Sequence, residues 1–192
     1  MSETEKRRRR VPRKITPSSL ENGALHYLER FATSSENLRQ VLSRRVARAA
    51  KHHDLDAEQC AGWIDDLIRR YLDCGLLDDG AYARAQAASM NRRGKSLKAI
   101  RLRLRQKAVA GGDIDDALAA LAGDTGEPDF AAALAYARRR RLGPYRRADK
   151  GAENRDRELA ALARNGFSYF LARRIVEAED PDELEQTLAG FL

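Results

Sequence analysis

Residues 97–109 read Leu-Lys-Ala-Ile-Arg-Leu-Arg-Leu-Arg-Gln-Lys-Ala-Val. On an α-helical wheel Leu97, Ile100, Leu104 and Ala108 fall in one narrow apolar stripe. Lys98, Arg101 and Arg105 line one flank of that stripe, and Arg103 and Lys107 line the other. Such a helix packs through the stripe while displaying cations on both shoulders. Ser96 is a fitting N-cap for it. Gly111-Gly112 is expected to break it, with Asp113 capping a short alanine-rich helix over 114–122.

Related stretches lie on either side. Leu38, Arg39, Leu42 and Arg45 form an earlier copy, and Leu159, Leu162 and Arg164, followed by Gly166-Phe167, form a later one. The leucines Leu42, Leu104 and Leu162 recur at a period of about 60 residues, which marks a divergent helical repeat. Each basic helix reads as the middle one of three. In the first copy Leu20, Ala24, Tyr27, Leu28 and Phe31 have helical spacing. Thr33 with Glu36 suggests a capping box for the basic helix. Asp56 with Gln59 starts a third helix, whose face carries Cys60, Trp63, Ile64, Leu67, Ile68, Tyr71 and Cys74. Gly75 stops it.

In the second copy Asp78 or Asp79 opens a helix that Gly94 ends. Gly123 to Glu127 read as a linker, and Pro128 suits the first position of a helix ending near Leu142. A charged loop then runs to about Ala152. Helices over 155–165 and 168–179 share a turn at Asn165-Gly166, and Asp180-Pro181 opens a last helix. No segment alternates with the period of a strand. The expected fold is all-α, built of tandem three-helix repeats. A basic disordered arm is expected over 1–17, repeats over 18–76, 77–123 and 127–180, and a C-terminal helix over 181–192.

Charge is unevenly placed. The chain carries +7. Lys6, Arg7, Arg8, Arg9, Arg10, Arg13 and Lys14 face only Glu3 and Glu5 in the arm, so the remainder is close to neutral. No acid lies between Glu36 and Asp54, where Arg39, Arg44, Arg45, Arg48 and Lys51 sit, and none lies between Asp79 and Asp113. A basic strip of this kind suits nucleic acid or an acidic protein surface. A solvated helix face is the plainer alternative. Cys60 and Cys74 on one helix would stand about 21 Å apart, beyond disulfide reach, and read as reduced core thiols of a cytoplasmic protein. No apolar run is long enough for a membrane span.

Catalytic and ligand motifs do not assemble. Gly94-Lys95-Ser96 lacks the first glycine and the preceding strand of a phosphate loop. His52-His53-Asp54 with Asp56 are adjacent residues in a turn, without ligand spacing. The pairs Asp65-Asp66, Asp78-Asp79 and Asp115-Asp116 fall on polar faces or helix starts, where capping explains them. Trp63 and Tyr71 share an apolar face, so packing explains them better than base stacking. Phe167, Tyr169 and Phe170 follow a tight turn. No enzyme activity, cofactor or metal is expected.

Four motifs in order are similar to the RecX family, bacterial regulators of the RecA recombinase. They are Ala24-Leu25 with Tyr27-Leu28, Arg30, Leu38-Arg39 and Leu42; Gly75-Leu76-Leu77-Asp78-Asp79 with Tyr82-Ala83; Gly94, Ile100, Leu104 and Arg105-Gln106-Lys107; and Leu159, Leu162, Arg164, Gly166-Phe167 and Tyr169. The resemblance implies an elongated, curved body of three-helix repeats that binds RecA filaments and inhibits them. It departs where Lys107 is followed by Ala108-Val109 instead of glycine, and where Arg164-Asn165 replaces a basic pair. The resemblance implies the RecA filament as partner; the basic strip and the arm suggest single- or double-stranded DNA beside it, and the chain is expected to be a monomer. The contact residues expected are Arg39, Arg44, Arg45, Arg48, Lys98, Arg101, Arg103, Arg105 and Lys107, with Arg138, Arg139, Arg140 and Arg141. Read from the residues alone, an autonomous helical DNA-binding protein or a protein adaptor also fits.

Overall fold

The computed structural model describes residues 13–146 and 154–190, which are helical with no strand among them. The chain divides into two compact units between Asp78 and Asp79. The first holds α1 (Pro17–Leu28), α2 (Ser35–Ala49) and α3 (Ala57–Asp73). Their apolar stripes meet in a core that includes Leu20, Ala24, Leu38, Leu42, Ile64 and Leu67.

This unit starts earlier than the sequence suggests. Ile15 is buried in the same core. Thr16 caps α1 in a reciprocal pair with Ser19, and Pro17 takes the first turn. The expected arm therefore ends before Ile15, and its residues 1–12 lie outside the described residues. Ser34, not Thr33, caps α2, accepting from the Asn37 amide at 3.3 Å. Thr33 is buried and accepts instead from the Asn37 side chain at 2.7 Å. Phe31 lies past the end of α1 and is exposed.

Asp56 caps α3 through the Glu58 and Gln59 amides. Cys60, Ile64, Leu67, Ile68 and Tyr71 are buried as expected, but Cys74 is exposed. The chain leaves the helix at Cys74, so the wheel no longer places its side chain, and Leu77 returns to the core in its stead. Burial, then the nearby Asp56, pushes the Cys60 thiol up. Burial likewise raises the Tyr71 phenol, whose oxygen makes no hydrogen bond among the described residues.

The second unit holds α4 (Asp79–Arg92), α5 (Leu97–Gln106) and α6 (Gly111–Thr125), then α7 (Pro128–Arg140), α8 (Arg155–Arg164), α9 (Tyr169–Val176) and α10 (Pro181–Ala189). Ser96 caps α5, and Ile100 and Leu104 are buried. Gly111-Gly112 do not break α5; they open α6. The break falls at Ala108, which adopts a left-handed φ of 55° so that Val109 can turn into the core. Helix α6 consequently starts ahead of Asp113 and runs through most of the expected linker.

The two three-helix sets of this unit are tied at one corner. The Asn91 side chain donates to the Pro128 carbonyl at 2.9 Å. Asp129 accepts from the Leu97 amide at 2.7 Å, setting a carboxylate at the positive end of α5. Burial pushes that carboxyl up, and Glu127 adds to the shift against the opposing Leu97 hydrogen bond. Ser96 donates to the Asn165 carbonyl at 2.9 Å. The stretch after α7 begins with a short 3-10 turn at Gly143–Tyr145, and Arg146 folds back onto Glu158. Residues 147–153 lie outside the described residues.

Candidate functional site

The basic face of the first unit is α2. Its apolar positions turn inward, so residues between them face out. Arg44 and Arg48 are exposed and, with Lys51, edge a shallow groove floored by Val41 and Ala47. The Arg48 guanidinium donates to the Arg44 carbonyl at 3.3 Å, which orients it along the helix. Arg45 lies over α1, close enough that a Cβ on Gly23 would fall 2.3 Å from its Nη1. Arg39 is committed inside the unit: it pairs with Glu36 at 3.0 Å and with Asp65 of α3.

The basic face of the second unit is α5 with the end of α4. Lys98, Arg103 and Arg105 are exposed. Arg101 pairs with Asp115 of α6, so one flank of the helix is partly neutralised from outside it. Arg103 donates to Gln106, a neutral amide, at 3.3 Å and keeps its charge unopposed there. Lys107 is half-buried at the end of the helix, and its backbone closes the turn. Arg93 and Lys95, which lie in the acid-free basic stretch but were not among the expected contact residues, join Arg103 around Met90, Ala99 and Leu102.

The run at the end of α7 divides. Arg138 pairs with Glu185 of α10 and donates to the Tyr145 hydroxyl at 3.4 Å. Tyr145 and then Glu185 hold the Arg138 guanidinium above its ordinary value. Arg139 stacks over the Tyr136 ring at 5.6 Å. Arg140 is exposed, and Arg141 ends the helix in a left-handed conformation. Arg39, Arg101 and Arg138 thus each spend charge on an acid from a neighbouring helix. Arg44, Arg45, Arg48, Lys98, Arg103, Arg105, Arg139, Arg140 and Arg141 are exposed.

The chain is 40% identical over 168 residues to "Regulatory protein RecX" of Myxococcus xanthus, covering 87% of this chain and 89% of the relative. The chain belongs to the RecX family. The protein of the same name from Agrobacterium fabrum is 32% identical over 83% of this chain and 85% of its own length. That from Halorhodospira halophila is 30% identical over 80% and 86%. A family model described as "RecX, second three-helix domain" matches residues 78–118. That span takes in α4, α5 and the first half of α6, so it contains the α5 cations and the hollow beside them. No solved structure matches the chain. No helix among the described residues is long and apolar enough to cross a membrane.

Proposed function

We propose that the chain is a non-enzymatic, monomeric, cytoplasmic regulator that binds RecA–DNA filaments and inhibits them, modulating recombination, DNA repair and ATP hydrolysis. The observation that carries this reading is the 40% identity, along 87% of the chain, to a protein named "Regulatory protein RecX". The exposed cations on α2 and α5 supply a physical means, since a filament of protein and DNA presents phosphates and surface carboxylates. Bridging adjacent protomers in the filament groove would block strand exchange or hold back the motions that ATP turnover requires.

The test is capture by RecA with and without single-stranded DNA and a non-hydrolysable nucleotide. Capture that requires the assembled filament is the expected result. Equal capture by bare duplex, with no added effect of RecA, would instead make the chain an autonomous DNA-binding protein. Changing Lys98 and Arg105 to Glu should abolish inhibition of RecA ATP hydrolysis while the circular dichroism stays native, because exposed charges contribute little to folding. Arg69 and Arg157, exposed and outside the proposed strip, changed to Glu, form the matched control with the same change in net charge. Equal damage by the control would reduce the effect to bulk charge.

A further inference from the structure

The end of α4 and one face of α5 enclose a hollow whose floor is Met90, Ala99 and Leu102 and whose rim is Arg93, Lys95 and Arg103. Among the described residues, no carboxylate lines it. Leu102 is 59% exposed in the middle of a helix that is otherwise cationic on its outer side. An isolated exposed leucine is ordinary; one set beside a methionine and an alanine, within three cations, makes an apolar seat with a positive rim.

The hollow is held in shape. Gly94 adopts a φ of 77° against α7, where a Cβ would fall 2.7 Å from the Tyr136 Cβ, so the corner between α4 and α5 packs directly on that helix. The Lys95 ammonium donates to the Asn165 side-chain oxygen at 2.7 Å. Arg103 is steadied by Gln106 in the same way. Both partners are neutral amides, so the cations are positioned without being cancelled. Arg101, on the other flank, shows the contrast, since Asp115 neutralises it.

We propose that this hollow seats an acidic segment of a partner protein that presents one large apolar side chain between carboxylates. The inference rests on the reading of the chain as a filament regulator and names the protein-side chemistry of that contact. The charge balance selects an acidic occupant. The floor selects a peptide over nucleic acid: it is aliphatic and offers no aromatic ring on which a base would stack, and phosphate needs no apolar seat. A buried apolar anchor inside a polar rim is also the arrangement that concentrates binding energy in protein interfaces.

The probe is the peptide EEEFEEE, with EEEGEEE and an oligothymidylate as comparisons, titrated into the full chain and followed by amide NMR shifts. EEEFEEE should move the signals of Met90, Ala99, Leu102 and Arg103 and bind more tightly than EEEGEEE. Leu102→Ser and Arg103→Glu should each weaken it at least about tenfold, as expected for an anchor and its rim. Leu102 is exposed, so its loss should leave the fold intact, and Leu102→Met should bind as wild type. Arg157→Glu, on the exposed side of α8, should also bind as wild type. The proposal fails if the two peptides bind alike, if Leu102→Ser binds as wild type, or if only the oligothymidylate moves these signals. Filament capture of the same wild-type sample separates the two readings. Capture without peptide binding overturns the hollow alone, and peptide binding without capture overturns the filament reading alone.

Discussion

Helices α5 and α8, the basic middle helices of the second unit's two sets, end in the same backbone corner made from different residues. Lys107 and Asn165 close the helices with φ and ψ of −92° and 10°, and of −87° and 3°. Ala108 and Gly166 follow with φ of 55° and 90°. Then Val109 and Phe167, both buried, donate back to Leu104 at 3.1 Å and to Leu162 at 3.3 Å. Ala110 and Ser168 come next as the N-caps of α6 and α9. Further back along each helix, Ile100 and Glu158 occupy the matching buried place. In α8 and the turn after it, local chemistry suits the geometry, with glycine at the left-handed residue and serine at the cap. In α5 alanine stands at both places. The corner therefore follows from where Val109 and Phe167 must be buried, and local preference only adds to it.

The sharpest way to break this equivalence is at Gly166. A Cβ there would fall 2.3 Å from Ser96 Oγ and 3.3 Å from the Ala99 nitrogen. Ser96 Oγ has little freedom to move aside, because it donates to Asn165 and accepts from Ala99 at 3.2 Å. Gly166→Ala should therefore cost about 3 kcal/mol, combining backbone strain with a displaced buried hydrogen bond. Urea unfolding followed by circular dichroism measures it. A cost near that of an ordinary surface change would mean the two corners are not held by the same packing.

The second break is at Glu158. Isoleucine needs nothing in the matching place, but Glu158 relies on Arg146, at 2.8 and 2.7 Å, and on the Gly143 amide, at 3.0 Å. Burial alone would raise its carboxyl, and these donors outweigh burial and hold it below the ordinary glutamate range. The contribution is therefore complete above about pH 4.3, the unfolded glutamate value, and is lost as pH falls through the lower folded value. Glu158→Gln should cost about 2 kcal/mol at neutral pH, since Arg146 keeps a partner of reduced strength. It should also flatten that part of the acid limb. An unchanged pH profile would show that other carboxylates set it.

Where the sequence was legible, one physical rule acted alone. Within α3 and α5 the apolar stripes met no competing demand, so Cys60, Ile64, Leu67, Ile68, Tyr71, Ile100 and Leu104 could be named from periodicity, whereas Cys74 and Ala108, where the chain leaves each helix, could not. Ser96 and Asp56 sit where the local pattern already calls for a cap, although the hydrogen bond that Ser96 also donates to the Asn165 carbonyl was not legible. It was illegible where a distant partner changed the outcome. Arg39 and Asp65 lie in different helices, and nothing local says that one neutralises the other; the same holds for Arg101 with Asp115 and Arg138 with Glu185. Glu158 reads as a solvated helix residue until Arg146 is seen to fold over it. Arg93 and Lys95 read only as part of a long basic stretch until Leu102 and Met90 are brought beside them. The Gly111-Gly112 pair misled because glycine commonly ends helices, whereas here Ala108 had already turned the chain.

That alanine gives the smallest and most diagnostic prediction. A left-handed φ costs a residue with a Cβ roughly 1–2 kcal/mol. Ala108→Gly removes that cost but gives the unfolded chain more freedom. The net should be a gain of about 0.5–1 kcal/mol. Ala110→Ser should add a similar amount, because Ala110 already has the extended conformation of an N-cap, with φ −62° and ψ 149°, and lacks only the side-chain acceptor. Both changes make the α5 corner chemically like that of α8. The two sites are close, so their effects need not add, and the double variant should be measured beside the singles. Gains in all three would show that α5 holds its corner against local preference. A loss on Ala108→Gly would mean that the alanine methyl packs usefully where it stands, and that the two corners share a shape but not a cause.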